Sequence, residues 1–458
     1  MKAIITNKFT IVQNPSTTVL QSLNDLMSYE DKSVKYQLRR MERNPFQRNS
    51  GLYKKLQKEV KGTLLKNMGG HAAFNSGLSY LVEGIMNIED RRVDTGKKIT
   101  FPWKKKPFDL RPYQQDAVDV CLQNWRGVVN FATGMGKTLT AVHLIKSLKR
   151  KTLIIAPSDS IAQQFYTDLS SAFGENNIGF YGGGKKKIKD ITIGIAASVI
   201  KNTEEFKKQD LGCIIFDEVH HIAASTFFQI ATDLGDVGRI YGLTATDYRS
   251  DGKDIMINAG CGDVLIKRDI KWGINNGFLA KPKFIIRDVP TNGMDYKNNK
   301  IQAYKAHVLN DTVMKSQILQ DIQSAINNGK SVLCLVDEVA HGEELSRQTG
   351  LPFAQGKDKK SQSYVKDLND GNINGLIGTD GRIGEGTDTQ RVDVLILANF
   401  VASKGPVIQA LGRGLRIYGS KTECIVLDYI PSGSTMLKRH AEGRIKFYKG
   451  ITNDVAVI

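Results

Sequence analysis

The stretch Gly127-Val-Val-Asn-Phe131 runs into Ala132-Thr-Gly-Met-Gly-Lys-Thr138, and Leu139, Val142, Ile145 and Leu148 follow. The first five residues read as a buried strand, and the last four recur at helical spacing. A glycine-containing loop therefore joins a strand to a helix N-terminus. Glycines let backbone N–H groups converge on phosphate oxygens, and the helix terminus adds favourable potential there. In such a loop Thr133, Gly134, Met135 and Gly136 form the cradle, Lys137 reaches the terminal phosphates and Thr138 binds Mg²⁺. The complete pattern has glycine where this chain has Phe131. Taken alone, Gly-Lys-Thr reads equally well as a chance turn.

A second stretch decides between them. Cys213-Ile-Ile-Phe-Asp217-Glu218-Val-His-His221 is a buried-strand pattern ending in two carboxylates. Asp217 at the strand end is placed to hold Mg²⁺, usually through water, and Glu218 to polarise an attacking water. The competing reading is an acidic surface turn. A metalloprotease is excluded, because no H-E-x-x-H occurs. With both halves at strand ends of one α/β region, the reading is a nucleotide site.

Working outward, short β-rich runs alternate with helical stretches from Phe108 onward, which indicates βαβ units and a parallel sheet. Thr152–Ala156, Ile191–Ala196 and Arg239–Leu243 belong to the first series. Ser331–Val336, Gly375–Gly378, Val392–Ala398 and Glu423–Leu427 form a second. Before them, Ala3–Thr6 and Phe9–Val12 read as strands, and Val19 to Met27 as a helix. Ser76 reads as the cap of a helix with Leu78, Leu81, Val82, Ile85 and Met86 on its apolar face. The expected organisation is an N-terminal segment 1–107, α/β domains at 108–270 and 283–430 joined by a linker at 271–282, and a tail at 431–458. In the tail, Leu437, Ala441, Ile445 and Tyr448 form a packing face, leaving Arg439 and Arg444 on the polar side.

The 458 residues carry 64 Lys+Arg against 47 Asp+Glu, a net charge of +17. Twenty Lys/Arg against nine Asp/Glu fall in residues 1–107, so +11 of the excess lies there. Such an excess suggests a polyanionic partner and says nothing about fold. At 41% hydrophobic and 24% charged, the composition is that of a soluble globular protein. No apolar run approaches the ~20 residues of a membrane span, and no signal-peptide core is present, so a cytoplasmic protein is expected. Cys121, Cys213, Cys261, Cys334 and Cys424 are too scattered for a zinc site or disulfide framework and read as buried thiols.

The ordered motifs from Leu110 to Arg416 resemble those of superfamily-2 helicases. Leu110-Arg111-Pro-Tyr-Gln114 is similar to the family's adenine-recognition motif, with Gln114 as base reader. Ala132–Thr138 and Asp217-Glu-Val-His220 resemble motifs I and II in a DEVH variant. Ala156-Pro157-Ser158 and Ala197-Ser198 sit where the family touches nucleic-acid backbone, and Leu243-Thr244-Ala-Thr246 resembles the coupling motif III. Gly378-Thr379-Asp380 through Gly384-Glu-Gly-Thr-Asp388 resembles motif V. Gln409-Ala-Leu-Gly-Arg413-Gly-Leu-Arg416 resembles motif VI, whose two arginines, three apart on one helical face, would neutralise charge on the transferring phosphoryl group. Where the family often has proline after motif III, this chain has Asp247.

Within the superfamily, Thr244-Ala-Thr-Asp-Tyr-Arg-Ser-Asp-Gly252 and the DEVHH box are most similar to DNA-acting members, above all UvsW-type phage branch-migration helicases. Phe74-Asn-Ser-Gly-Leu78 resembles the small DNA-binding domain preceding their motor. The resemblance implies two RecA-like parallel-sheet domains behind a small basic α+β domain. It also implies ATP and Mg²⁺, a monomer acting on branched DNA with its duplex and single-stranded arms, and the host cytoplasm if phage-encoded. Lys54, Lys55 and Lys58, within the basic stretch 32–66, are the candidate duplex contacts. Gly182–Lys187 reads as a backbone contact or a hairpin tip, and Trp103 as linker packing or a base-stacking residue. An RNA helicase, a restriction motor and a non-catalytic ATP-gated clamp remain the alternatives.

Overall fold

The chain opens with β1 (Lys2–Ile5) and β2 (Phe9–Val12), an antiparallel hairpin that turns Ala3, Ile5, Thr10 and Val12 inward. Helix α1 (Thr17–Met27), capped by the Ser16 hydroxyl, seats Leu23 and Met27 in the same core. Strand β3 (Ser28–Glu30) then leads into an excursion of three helices, α2 (Lys32–Glu42), α3 (Pro45–Arg48) and α4 (Gly51–Glu59). Strand β4 (Lys61–Thr63) returns antiparallel to β3. Strands β5 (Lys66–Met68), β6 (His71–Asn75) and β7 (Asn87–Asp90) complete a five-stranded sheet of order β5-β6-β2-β1-β7. The computed structural model describes residues 1–100, 102–220, 224–246, 252–356, 360–379, 389–402 and 404–458.

The helix expected after Ser76 does not form. Residues Ser76–Leu81 make a 3₁₀ turn, and Ile85 is 76% exposed rather than on a buried face. Ser76 does not cap; its hydroxyl donates to the Asn7 carbonyl. The reason lies elsewhere in the chain. A Cβ on Gly77 would stand 2.2 Å from the Asn258 carbonyl oxygen, so the turn is pressed onto another helix's backbone. The apolar residues Leu78 and Val82 still enter the core, alongside Ala224, Met256 and Ala259.

The next elements are α5 (Pro112–Gln123), β8 (Arg126–Phe131), α6 (Lys137–Leu148), β9 (Thr152–Ala156), α7 (Asp159–Phe173), β10 (Ile178–Gly182) and β11 (Lys185–Lys187). After them come β12 (Ile191–Ile195), α8 (Ala196–Val199), α9 (Thr203–Lys207), β13 (Cys213–Phe216), α10 (Ala224–Asp233), β14 (Arg239–Thr244), α11 (Asp254–Cys261) and β15 (Val264–Arg268). The strands form one eight-stranded sheet, β11-β10-β12-β9-β13-β14-β8-β15, parallel from β10 through β8. Strands buried on both faces read as unbroken apolar runs, which is why Cys213–Phe216 and Thr152–Ala156 are buried throughout. Gly182–Lys187 is a hairpin tip, β10 and β11 pairing antiparallel with Lys185, Lys186 and Lys187 exposed. Trp103 packs rather than presents its ring: it stacks on Phe173 at 5.0 Å.

A second sheet follows. Helix α12 (Ile270–Asn275) occupies much of the stretch expected as linker, and β16 (Lys281–Val289) begins before that stretch ends. Strands β17 (Val332–Val336), β18 (Phe353–Ala354), β19 (Gly375–Thr379), β20 (Val394–Ala398), β21 (Glu423–Pro431) and β22 (Val455–Val457) join it in the order β18-β19-β17-β20-β21-β16-β22, all parallel. The C-terminal helix Thr435–Ile451 packs through Leu437, Ala441 and Tyr448. Arg444 departs from expectation. It is 4% exposed, its Nε and Nη2 each donating to Asp428 at 2.8 Å, while Tyr448 also donates to that carboxylate. A partner on the neighbouring strand, invisible to helical periodicity, draws the guanidinium inward.

The chain folds as two units, Met1–Phe131 with Gly136–Lys267, and Ala132–Met135 with Arg268–Ile458. The N-terminal five-stranded sheet belongs to the first. All five cysteines are free and buried. Among the described residues no helix is long and apolar enough to cross a membrane.

Candidate nucleotide site and basic excursion

Parallel pairing places the carboxyl ends of β8, β9, β12, β13 and β14 along one edge of the first sheet, where ligands of open α/β sheets bind. Phe131 ends β8 there, fully buried, its ring edge-on to Tyr113 at 5.2 Å. That explains its replacing a loop glycine: the position belongs to the core. Gly134 and Gly136 both have positive φ, 86° and 78°. At Gly136 a side chain would also strike the Gln114 amide, 2.3 Å from an added Cβ. Only glycine fits there. Lys137 and Thr138 open α6. Gln114 is buried in the first turn of α5, its Oε1 accepting from the Arg111 N–H at 2.9 Å.

The acidic pair sits just beyond β13. Lys137 Nζ meets Glu218 Oε1 at 2.8 Å, and the other Glu218 oxygen lies 3.5 Å from His220 Nδ1. His220 Nδ1 is 2.7 Å from Thr244 Oγ1, which donates to the Thr246 carbonyl and accepts the Thr246 N–H. The Thr244 bonds assign the proton to Nδ1, which donates to Thr244. Glu218 approaches the same nitrogen without a hydrogen bond, so the Lys137–Glu218 pair and the His220–Thr244–Thr246 bonds lie side by side at the strand ends. Glu218 has φ of 42°, an uncommon conformation for a residue with a side chain. Neighbouring bonds hold it: Asp217 N–H donates to Ile155 and Val219 N–H to Leu243.

Asp217 is 6% exposed. Burial first, then the adjacent Glu218 charge, pushes its carboxyl above the ordinary carboxylate range, against the pull of Lys137. A buried carboxylate beside a second one is a donor set that a divalent cation would relieve, so Asp217 and Thr138 fit Mg²⁺. Among the described residues no cluster of three His, Cys, Asp or Glu side chains offers another metal site.

Pro157 directly follows β9 and Ser198 lies in α8 after β12, both on the edge that carries Asp217 and Thr244. In the second unit Thr379 ends β19, and Gln409 and Arg413 lie on the helix Lys404–Gly414. Arg416 does not share that helix face as expected. The Leu415 carbonyl accepts the Ala280 N–H at 2.7 Å, and the chain leaves the helix there. Asp388, with most of the motif V stretch, lies outside the described residues, as do His221 and Asp247.

Lys54, Lys55 and Lys58 are all exposed on α4. The excursion carrying them has a core of three buried residues, Leu38, Tyr53 and Leu56. Its base is anchored: Asp31 caps α2 and meets Lys253 Nζ at 2.5 Å. Neither His220 nor the Asp31–Lys253 pair was read from sequence as functional. The DEVH box contained the first signal; the second had none, its partners being 222 positions apart.

Residues 107–249 match the family described as Type III restriction enzyme, res subunit. The chain is 28% identical to a protein of Halobacterium salinarum provisionally named DNA 3'-5' helicase Rad25, over 78% of this chain and 59% of that one. It is 25% identical to the protein provisionally named helicase D10 of Escherichia phage T5, over 98% of this chain and 94% of that one. It thus spans roughly half to three fifths of several curated relatives, Rad25 among them. The fold is shared with the fragment structure of an HsdR subunit assigned to a type I restriction enzyme of Vibrio vulnificus, at a TM-score of 0.58 and 21% identity over 77% of this chain and 70% of that one. By its ordered motifs and these relatives, the chain is similar over most of its length to the superfamily-2 DNA helicases.

Proposed function

We propose that the protein is an ATP-driven DNA motor that unwinds and branch-migrates forks and Holliday-type junctions. The observation that supports this best is the Lys137–Glu218 ion pair set 3.5 Å from His220, whose own bond to Thr244 reaches the neighbouring strand end beside the phosphate loop. A clamp that only binds nucleotide needs no water activator held in a strained backbone.

In this reading Gln114 reads the base, the 133–136 loop cradles phosphates, and Lys137 releases Glu218 to bind the γ-phosphate instead. Glu218 then orients the attacking water and takes its proton. Mg²⁺, held by Asp217 and Thr138, neutralises phosphate charge when bound. Of the motif VI residues Gln409, Arg413 and Arg416, the two arginines bring positive charge to the transferring group and Gln409 offers a neutral amide for hydrogen bonding. Thr244 and Thr246 relay the change at His220, and Pro157, Ser198 and Thr379 grip the strand. Branch migration exchanges pairs one for one, so hydrolysis mainly supplies direction. The protein works as a monomer in the cytoplasm.

The test is hydrolysis and unwinding on forks, four-way junctions, duplex, single strands and RNA. Branched DNA is expected to stimulate most, and Lys137→Ala to abolish the stimulated rate. Persisting activity in that variant refutes the site; equal stimulation by RNA refutes the substrate. A restriction motor, favoured by the family matched at 107–249, predicts stimulation by unbranched duplex instead.

A further inference from the structure

The helical excursion ends in a point. Residues from Glu42 to Asn49 are all exposed, and Phe46 on α3 is 91% exposed. The ring is not carried by a loose loop. Pro45 fixes the backbone before it, and the Asn44 side chain accepts the Phe46 N–H at 3.0 Å. A large apolar ring held in water on a stiff turn is placed to meet something flat and apolar.

The charge around it names the class. Residues 31–60 hold nine Lys/Arg against three Asp/Glu. The three carboxylates are engaged within the protein: Asp31 with Lys253, Glu42 with the Tyr53 hydroxyl, and Glu59 with Lys55. Arg39, Arg40, Arg43 and Arg48 are exposed around the tip, and among the described residues no carboxylate pairs with them. The complement is a polyanion that also offers an aromatic face. A continuous duplex hides its base faces within the stack, whereas a branch point exposes them. Stacking on an aromatic side chain tolerates any base.

We infer that Phe46 stacks on an unpaired nucleobase at a branch point while the surrounding arginines hold the flanking phosphates. This rests on the DNA-motor reading above and assigns the part of the chain that meets the junction itself.

The experiment uses the full chain and a fork carrying 2-aminopurine at the unpaired position beside the branch, with a plain duplex of equal length. Binding of the parent protein changes the probe's fluorescence. Phe46→Ala loses that change and about tenfold of fork affinity, keeping duplex affinity and single-strand-stimulated hydrolysis; Phe46→Trp restores both losses. An unchanged probe signal in Phe46→Ala overturns the inference. Equal losses on fork and duplex also overturn it, since they mark a structural role, as would a loss confined to association with another protein. If the parent shows no DNA-stimulated hydrolysis, it is the motor reading that fails.

Discussion

The Lys137–Glu218 pair of the nucleotide pocket and the basic excursion lie in one unit but are built on opposite terms. The pocket hangs from central strands of an eight-stranded sheet, and its groups are fixed by strand-end hydrogen bonds around a left-handed Glu218. The excursion has three buried core residues and surrounds them with exposed lysines and arginines. So small a core does not stabilise thirty residues alone. The difference follows from what each must do. Water activation depends on tenths of an ångström, which only a buried scaffold maintains. Attraction to phosphates depends on charge within a Debye length, and flexible exposed side chains suffice.

If that contrast is right, the largest effect of a single atom change belongs to the pocket. Glu218→Gln keeps shape and removes the base, so DNA-stimulated hydrolysis falls by about a thousandfold while nucleotide binding persists. Single-turnover hydrolysis beside a fluorescent-nucleotide titration measures both; a loss of binding equal to the loss of rate would mean Glu218 is structural. The excursion responds differently. Reversing Lys54, Lys55 and Lys58 to Glu weakens fork and duplex binding at low salt. The slope of log affinity against log salt shrinks by about 3, with hydrolysis in the absence of DNA unchanged. Anisotropy between low and moderate salt reads this, and an unaltered slope would return those lysines to a solvated face.

The contrast also governs what could be read from the sequence. Lys137, Asp217 and the buried strands were legible because each signal is local: a glycine turn beside a strand, an apolar run ending in acids. The misreadings after Ser76 and at Arg444 had distant causes. Helical periodicity after Ser76 was real, but Gly77 is pressed onto the Asn258 carbonyl, far along the chain. Arg444 carried the right charge for a polar face, yet Asp428 on β21 draws it inward. Arg416 kept its motif spacing, but the helix ends before it. His220 was visible as a letter in a motif, and its bond to Thr244 appears only once β13 and β14 lie side by side. In the excursion the charge was legible; the exposed tip and the anchor at its base were not.

That anchor gives the smallest and most discriminating expectation. Burial pulls the Asp31 carboxyl up, but hydrogen bonds from Lys253, Ser33 and the Val34 N–H outweigh it and hold the group below its ordinary value. A carboxyl with a depressed folded value stabilises fully above the unfolded value of about 3.9 and loses that contribution as pH falls through the folded one. Asp31→Asn keeps a capping oxygen but removes the charge that faces Lys253 and the N-terminus of α2, at a cost of about 1 kcal/mol. At neutral pH the variant's excursion should therefore open more often, seen as about fivefold faster hydrogen exchange in residues 31–60 with the β8–β14 sheet unchanged. Toward the acid end, where Asp31 protonates in the parent as well, the two proteins should converge. Exchange that rises equally in the central sheet would show that the excursion and the nucleotide scaffold are one cooperative unit, and the contrast between them would fall.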